Sequence, residues 1–465
     1  MGCGLPIRLA RWHRNKLPSK RLFQILIVAA LAVNLGLLVL YYLPAPKQLI
    51  GDETYYFGLA SAIAAGQPVQ HDPVWPPLYG EVMGMLFAAV GLRILAVQLV
   101  QIGLWLATGY FLFRITERLV GRTVVAYVAL ALYLFSPELM AFSHYLWPET
   151  LHLFLMMGGL WLLICHGDRW WAAVAGGVLF GLALLTKSLL LFALPILLLF
   201  FVMVQVDGSR LRSRAIRAAL VAVASLVTVV AVLATSMQGR GEPSIAGSAV
   251  FNAWVGLNDI AQVDYQDSNA GRKHLRFIAA GPDQATRNAV YGKKIGAFLN
   301  EQGLASILAR QAGKQYFRLF DVNTFLTTQL PGGPRAAYTF QAPLLVVLLR
   351  IYSAVFQGVI LVAGAIGMAS LRARPLSWLH FFLAFILYNL AILLVLHVTT
   401  RYMLQLLPMW IVFAAVGFYG GVRWLHSHQL PVVSGFVGSR TRLVAGAMLG
   451  LLLLVVSFRS LLFGL

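Results

Sequence analysis

The sequence LFQILIVAALAVNLGLLVLYYL, residues 22–43, decides the class of fold. It contains no Asp, Glu, Lys or Arg, and it exceeds the roughly 20 residues that a helix needs to cross about 30 Å of hydrocarbon. It is too long for the core of a signal peptide, and no small-residue cleavage site follows it. We therefore expect an uncleaved helix that crosses a membrane.

The rest of the chain has the same character. Of its 465 residues, 60% are hydrophobic and 11% are charged, whereas a soluble domain carries about 25% charged residues. Such a composition excludes an ordinary water-soluble protein. Further charge-poor stretches cover residues 93–113, 123–142, 150–166, 170–186, 188–206, 216–236, 346–370, 376–396, 402–422 and 443–461. The sequence thus predicts an all-α polytopic membrane protein with about 11 transmembrane helices.

Lysine and arginine residues between these stretches predict the orientation, because short loops rich in them stay in the cytoplasm. Alternate loops and the N-terminal segment hold 19 basic residues, whereas the opposite short loops and span ends hold five, leaving out Arg350 and the longest loop. The N-terminus is therefore expected in the cytoplasm. The net charge of +20 then reflects topology and contact with anionic lipid headgroups, and we expect no nucleic acid as a partner.

Two segments on the predicted outer side are long enough to hold structure of their own, residues 44–92 and residues 237–342. We expect three parts: a transmembrane module at 1–236 that includes the first outer loop at 44–92, an outer loop domain at 237–342, and transmembrane helices at 343–465. Apolar side chains recur at helical spacing from Tyr291 and again from Leu304, which predicts two amphipathic helices over the membrane or the first loop. They could form a packed cap or bind an acceptor.

Ionisable residues near the hydrocarbon are informative because each costs several kcal/mol there without a partner or a function. Asp52 and Glu53 follow the first span, in the sequence Gly-Asp-Glu-Thr-Tyr-Tyr at 51–56. A carboxylate there would suit a general base that takes a proton from an attacking hydroxyl, or a metal ligand. Alternatively, the acids cap a helix expected at 54–65, where an N-terminal acid contributes about 0.3–1 kcal/mol.

Further charged and aromatic residues lie on the same predicted outer face of the membrane. The first outer loop continues with a stiff segment of prolines and aromatic residues at 71–81, and acids follow at the outer ends of the next spans, Glu138 and Glu149. Lys187 lies between spans five and six, and Arg401 lies between spans nine and ten. Each cation could simply extend its charge to the interface, but together they place acids and cations on one side.

In this order and with this sidedness, the features resemble the integral-membrane glycosyltransferases of the GT-C fold. The chain is similar in particular to protein O-mannosyltransferases and the lipid A aminoarabinose transferase. The resemblance covers nearly the whole chain, and no single piece of it is specific. It rests on Asp52-Glu53, the Pro-Pro-Leu-Tyr of 76–79, Ser-Pro at 136–137, Glu149, the run at 181–187 that ends in Lys187, Arg401-Tyr402 and Pro408.

The resemblance implies a GT-C type fold with a small, mainly helical domain on the outer face, and a sugar donor carried on a polyprenyl phosphate. The acceptor would be a hydroxyl of a lipid, glycan or protein. Asp52 would take the acceptor proton and the reaction would invert the anomeric centre, while Lys187 and Arg401 would hold the lipid phosphate. Glu53, the second catalytic candidate, and Glu149 would orient the sugar or acceptor, or organise the cations. The substrate-binding candidates are Tyr55, His71, Trp75, Tyr79, Glu149, Lys187, Arg350, Arg401 and Tyr402.

The chain departs from its relatives at two positions. Aminoarabinose transferases carry an arginine soon after the Asp-Glu pair and a lysine just before Pro-Pro, where this chain has Tyr55 and Trp75. Either Lys187, Arg401 and Arg350 bind the donor phosphate in their place, or this chain uses a different donor from that of the aminoarabinose transferases. The sequence has no Asp-x-Asp motif, so we expect no obligatory cofactor. A divalent metal remains an alternative, with His71 and His144 as candidate ligands.

Two other classes of protein fit parts of the pattern. A transporter or flippase of lipid-linked sugars would also carry charges within a helical bundle, but near mid-membrane and beside broken helices. A non-catalytic envelope scaffold would use the paired acids as helix caps. The acids at outer span ends favour surface chemistry. The composition favours a bacterial inner membrane, and the predicted orientation then puts the active site in the periplasm.

Overall fold

The fold is all-helical, as the composition predicts. The computed structural model describes residues 20–39, 48–67, 75–204, 210–236, 245, 247–258, 273, 275–330, 343–427 and 433–459. Within these ranges the structure contains helices and no β-strand, apart from one isolated bridge between Leu371 and Phe436. The predicted class of polytopic helical membrane protein is confirmed.

Ten α-helices form the first half of the described chain. They are α1 Lys20–Leu37, α2 Asp52–Ala64, α3 Leu78–Val90, α4 Ile94–Val120, α5 Thr123–Leu134, α6 Pro137–Phe142, α7 Glu149–His166, α8 Trp170–Leu184, α9 Ala193–Met203 and α10 Leu211–Ser236. A short 3-10 helix at Ser188–Leu190 lies between α8 and α9.

The α-helices whose bounds are described in the second half are interrupted by one longer 3-10 helix. They are α11 Ser248–Asn258, α12 Gln284–Gln302, α13 Leu304–Leu319, α14 Phe325–Gln329, α15 Pro343–Ala369, α16 Trp378–Leu393, α17 Leu407–Ser427 and α18 Arg440–Ser457. The 3-10 helix Thr400–Gln405 connects α16 to α17.

Each of the 11 predicted spans overlaps at least one of these helices. Seven described helices are long and apolar enough to cross a membrane: α1, α4, α7, α10, α15, α17 and α18. The counterparts of the other four spans, α5, α8, α9 and α16, are 11 to 16 residues long. The count of about 11 spans therefore stays a prediction.

Some predicted boundaries were wrong. The helix expected at 54–65 begins at Asp52, so both acids lie in its first turn. Its N-cap residue, Gly51, has no side chain that could cap the helix. The stretch 123–142 forms two helices rather than one. The chain breaks after α5 because Ser136 caps a new helix, accepting a hydrogen bond from the Leu139 amide at 3.5 Å, and Pro137 fits its first turn.

Small residues allow the membrane helices to pack closely. Gly177 and Gly181, one turn apart on α8, face α10, where a Cβ atom on either would lie 2.5 and 2.7 Å from the backbone carbonyl oxygens of Val221 and Ser225. This spacing is the small-xxx-small pattern of close helix pairs in membranes. It fixes α8, and with it the turn that contains Lys187.

The two amphipathic helices expected from Tyr291 and Leu304 are present as α12 and α13. Tyr291 is buried in a small aromatic cluster with Phe251 and Phe277, and Trp75 of the first loop packs against this cluster. Residues of 247–330 therefore contact the first outer loop, which is one of the two positions expected for these helices. The three-part domain division stays a prediction.

Candidate active site

The first turn of α2 carries both acids, but their surroundings differ. Glu53 is fully buried, and its carboxylate oxygens accept hydrogen bonds from the backbone amides of Leu146 at 2.7 Å and Ile50 at 3.0 Å. Asp52 keeps 19% of its side chain exposed. Consecutive helical residues point about 100° apart, so one acid faces the core and the other the open side. Asp52 is therefore the more exposed of the two acids, whereas the contacts of Glu53 are those of a positioning residue, and the catalytic roles of both stay predictions.

The loop between α6 and α7, residues 143–148, is held by a buried amide on α4. Gln101 donates to the carbonyl oxygens of Ser143 at 3.1 Å and Tyr145 at 2.8 Å, and accepts a hydrogen bond from the Tyr79 hydroxyl at 3.0 Å. Buried polar groups are costly unless they are bonded, and these contacts satisfy the amide. The loop therefore has one defined position next to α2.

The first turn of α7 holds the turn that contains Lys187. The Lys187 ammonium nitrogen lies 2.9 Å from the Glu149 carboxylate, which is 2% exposed. Three residues after Glu149 on α7, the Nδ1 atom of His152 lies 2.9 Å from the Thr186 hydroxyl oxygen. Residues three apart share a helix face, so this face of α7 fixes both Thr186 and Lys187.

Arg401 reaches the same place from the other end of the chain. It lies in the 3-10 helix Thr400–Gln405, and its Nη1 atom donates to the Asp52 carboxylate at 2.8 Å. Its side chain is 17% exposed. The structure therefore brings together Asp52, Glu149, Lys187 and Arg401, which the sequence analysis selected separately.

Aromatic rings flank the two cations. The Arg401 guanidinium lies 4.1 Å from the centre of the Trp147 ring and 5.4 Å from that of Tyr402. The Lys187 ammonium lies 5.5 Å from the Tyr402 ring centre. Cation–π contacts contribute most where water is excluded, so the rings help to stabilise both charges and restrict where they can move.

The four charges form one electrically balanced group. Lys187 interacts with the charges of Glu149, Arg401 and Asp52, and Arg401 interacts with those of Asp52 and Glu149. Burial lowers the pKa of Lys187, and Glu149 opposes that effect. Two acids and two bases can thus be buried together, because each charge has an opposite partner nearby.

Two aromatic residues of this site were not among the sequence candidates. Trp147 lies under Arg401 and also against Gly51, where a Cβ atom would be 3.4 Å from its ring. Tyr56 is 2% exposed, and burial and then Asp52 raise the pKa of its hydroxyl. The sequence could have indicated Tyr56 by its position one helical turn after Asp52. It could have indicated Trp147 by the Trp-Pro-Glu sequence that ends at Glu149.

Other candidates line the surroundings of the charged group. Tyr55 packs on Trp75 and on Tyr56, with ring centres 5.5 Å apart in each pair. Tyr79 packs edge-on against Tyr56 at 5.0 Å. Trp75 in turn contacts the aromatic cluster of the outer segment. These rings connect the first outer loop to residues 247–330, and their substrate contacts stay predictions.

His71 lies outside the described residues. Arg350 lies on α15, and its role stays a prediction. His144 is buried. Within the described ranges no three His, Cys, Asp or Glu side chains are grouped to hold a metal ion, and with His71 undescribed the metal alternative stays open.

A shallow apolar groove lies beside the turn of Lys187. Leu184 and Leu190, on either side of Lys187 in the chain, line it together with Phe381 and Phe385 of α16. A charged turn next to an apolar groove between membrane helices suits a ligand with an anionic head and a hydrocarbon tail.

Comparisons with known proteins agree with this architecture. Residues 75–234 match the family model described as dolichyl-phosphate-mannose-protein mannosyltransferase. This segment includes Glu149 and Lys187 but not Asp52 or Arg401. No curated protein sequence gives a significant match.

Solved structures of two proteins are similar. The oligosaccharyltransferase of Archaeoglobus fulgidus in the apo form is 14% identical with a TM-score of 0.50, and the match covers 96% of this chain and 55% of that one. ArnT from Cupriavidus metallidurans bound to undecaprenyl phosphate is 16% identical with a TM-score of 0.40, and the match covers 92% of this chain and 88% of that one. The chain therefore has the GT-C fold of integral-membrane glycosyltransferases and resembles the dolichyl-phosphate-mannose-protein mannosyltransferases over residues 75–234.

Proposed function

We propose that this protein transfers a sugar from a polyprenyl-phosphate donor to a hydroxyl group of a lipid, glycan or protein at the outer face of a bacterial inner membrane. The observation that carries the proposal is the meeting of one partly exposed carboxylate, Asp52, with two cations, Lys187 and Arg401. They come from three distant parts of the chain. Such an arrangement can hold a phosphate and a reacting hydroxyl together.

The donor class follows from the cations and the groove. A lipid phosphate needs positive charge at its head, and Arg401 offers a planar fork while Lys187 offers a point charge. The apolar groove beside Lys187 suits the first part of a hydrocarbon chain. The family model that matches residues 75–234 is named for a dolichyl-phosphate sugar, which is a donor of the same chemical class.

The reaction we propose is a single displacement. The acceptor oxygen attacks the anomeric carbon, the bond from that carbon to the phosphate oxygen breaks, and the lipid phosphate leaves with the electron pair. Asp52 accepts the acceptor's proton. Lys187 and Arg401 stabilise the charge that develops on the leaving phosphate. One displacement inverts the anomeric configuration of the transferred sugar.

The positions of the charges favour this enzyme over a transporter. Asp52 and Glu149 lie in the first turns of their helices, and Lys187 and Arg401 lie in connections between membrane helices. A transporter of lipid-linked sugars would need charges near the middle of the membrane. The scaffold alternative has less support, because Asp52 pairs with a distant arginine rather than capping its helix.

The test is transfer from synthetic polyprenyl-phosphate sugars by the full chain in nanodiscs, with lipid, glycan and peptide acceptors offered in turn. We expect Asp52→Asn and Lys187→Ala to lose transfer, whereas the exposed substitutions Glu301→Gln and Lys293→Ala should behave as wild type. Product anomers read by NMR would report inversion. If the wild type binds such donors yet transfers no sugar to any acceptor class, the protein is not this enzyme.

A further inference from the structure

Two consecutive residues near the end of α16 bond to the two chain segments that carry the cations. The Tyr388 hydroxyl donates to the carbonyl oxygen of Leu189 at 2.8 Å, in the short 3-10 helix that directly follows Lys187. The Asn389 side-chain oxygen accepts a hydrogen bond from the Gln405 amide at 2.6 Å, in the longer 3-10 helix. Neither Tyr388 nor Asn389 was selected from the sequence, and the reaction proposed above does not use them.

The bond between Asn389 and Gln405 is enclosed in the protein. Asn389 is 1% exposed and Gln405 is 3% exposed. The side-chain nitrogen of Asn389 donates to the carbonyl oxygen of Phe385, one turn earlier, at 2.8 Å. A buried amide is costly unless it is bonded, and both ends of the Asn389 side chain have a partner. The 3-10 helix that contains Arg401 therefore has one favoured position against α16.

The turn that contains Lys187 is held on both sides of the lysine. Before it, the Leu185 carbonyl oxygen accepts a hydrogen bond from the Leu78 amide at 3.0 Å. After it, the Tyr388 hydroxyl supplies the bond described above. Tyr388 is thus the anchor that α16 provides for this turn.

The two bonds start from adjacent positions on one helix. Consecutive residues of an α-helix point about 100° apart and keep a fixed spacing, so Tyr388 and Asn389 can hold two different segments at once. The separation of Lys187 and Arg401 therefore depends on α16. Phe385, one turn earlier on the same helix, lines the apolar groove, so a single helix positions the groove and both cations.

The outer segment secures the end of α16. From α13, the Tyr316 hydroxyl donates to the Leu390 carbonyl oxygen at 3.2 Å, and the Gln315 amide donates to that of Leu396 at 2.8 Å. The last carbonyl groups of a helix lack partners within it, and these two bonds supply partners at the end of α16 and just beyond it. Gln315 is fully buried. The end of α16 that bonds both cation segments is therefore held from the outer side as well.

We propose that Tyr388 and Asn389 are positioning residues that fix the separation of Lys187 and Arg401 and thereby set the affinity for the donor phosphate. This assignment rests on the transferase function proposed above, which gives the two cations a shared ligand. Each residue acts through the segment that it bonds and not by contact with the phosphate. Charge-assisted hydrogen bonds depend on distance and angle, so a small displacement of either cation weakens binding.

The first test is binding of a prenyl methyl phosphodiester by the full chain in nanodiscs. Tyr388→Phe removes only a hydroxyl. Its matched control is Tyr352→Phe on α15, which removes a hydroxyl that also bonds a backbone carbonyl oxygen, that of Phe135. We expect Tyr388→Phe to raise the dissociation constant about three- to tenfold, the size expected for one lost hydrogen bond, and Tyr352→Phe to leave it unchanged. Equal dissociation constants for the wild type and Tyr388→Phe would overturn the proposal.

Double-mutant cycles separate positioning from a general loss of stability. In Lys187→Ala the effect of Tyr388→Phe should disappear, because the turn no longer carries a cation. Asn389→Leu should weaken binding about tenfold both in the wild type and in Lys187→Ala, because it acts through Arg401 and leaves a buried amide unpaired. Gln357→Leu, which removes an amide of α15 that also bonds a backbone carbonyl oxygen, is its control and should bind as the wild type does. If Tyr388→Phe weakens binding equally in both backgrounds, its effect is only structural and the proposal fails.

A measurement without ligand tests the position of Lys187 independently of the donor. Reductive methylation, read by mass spectrometry of the peptide that contains Lys187, reports the accessibility of its amine, and this side chain is 14% exposed. We expect Tyr388→Phe to raise the methylation rate of Lys187 about threefold or more, because the turn opens more easily with one hydrogen bond fewer. The exposed Lys293 is the reference and should react at the same rate in both proteins. An unchanged rate at Lys187 would refute its positioning by Tyr388, whereas a wild type that binds no lipid phosphodiester would refute the proposed function instead.

Discussion

The Asp52 carboxylate and the Arg401 guanidinium lie 2.8 Å apart, although 349 positions separate the two residues in the chain. The arginine therefore engages the carboxylate, and this carboxylate competes with a phosphate for the arginine. In the reaction proposed above, a donor phosphate that takes over Arg401 would free the Asp52 carboxylate to accept the proton of the acceptor.

The first prediction concerns the order of binding. Asp52→Asn removes the carboxylate that competes with the donor phosphate for Arg401, so the affinity for a lipid phosphate should stay equal or rise. The rate of sugar transfer should fall by about 100-fold or more, because asparagine cannot accept the proton of the acceptor. Titration with a prenyl methyl phosphodiester measures the affinity, and a radiolabelled donor measures transfer. A tenfold loss of affinity in Asp52→Asn would show that Asp52 helps donor binding and does not compete with it.

The second prediction concerns pH. Because burial lowers the pKa of Lys187, its ammonium loses its proton below the pH at which an exposed lysine does. Phosphodiester affinity should be complete where Lys187 is charged and should decline as pH rises through that lowered pKa. Arginine stays protonated throughout this range, so Lys187→Arg should remove the decline.

The measurement is the dissociation constant of the prenyl methyl phosphodiester between pH 6 and about 10.5, the ordinary lysine value. A phosphodiester does not itself titrate there, so a change reports the protein. Lys187→Ala should bind about 10- to 100-fold more weakly at pH 7, as expected for one lost charge-assisted hydrogen bond. A flat profile in the wild type would contradict the prediction.

The third prediction concerns Trp147. Its ring centre lies 4.1 Å from the Arg401 guanidinium, and a desolvated contact of this kind contributes up to about 2 kcal/mol. Trp147→Leu should therefore weaken donor binding by about tenfold, and Trp147→Phe, which keeps an aromatic face, should recover part of it. If both variants bind donor as the wild type does, the ring only fills space beside Gly51.

Local sequence predicted the membrane helices and the two helices of the outer segment, because apolar runs and helical spacing are local properties. It also selected Asp52, Glu149, Lys187 and Arg401 individually, since charges near hydrocarbon are rare. It could not show that Asp52 pairs with Arg401 and Glu149 with Lys187. Those pairings depend on how distant helices pack.

The difference between Asp52 and Glu53 could not be predicted either. Adjacent acids in one motif look equivalent in sequence, but the true start of α2 turns Glu53 toward the amides of Ile50 and Leu146. The position of that start was misjudged by two residues. The start of α6 was missed as well, because the stretch 123–142 was expected to form one continuous helix, whereas it forms α5 and α6.

The last prediction links helix packing to the site. Gly177 of α8 leaves room for α10, and a Cβ atom there would lie 2.5 Å from the Val221 carbonyl oxygen and 2.8 Å from the Ala224 Cβ atom. Gly177→Ala should separate the helices and cost about 1–3 kcal/mol by overpacking, lowering the Tm. Since α8 ends just before Lys187, phosphodiester affinity should fall too.

The control is Gly103→Ala on α4, where a Cβ atom has nothing within 4 Å. This substitution should leave the phosphodiester affinity unchanged and leave the Tm unchanged or raise it, because alanine favours helix. Equal Tm values for the two variants would show that the α8–α10 contact accommodates a methyl group without cost, which would contradict the prediction.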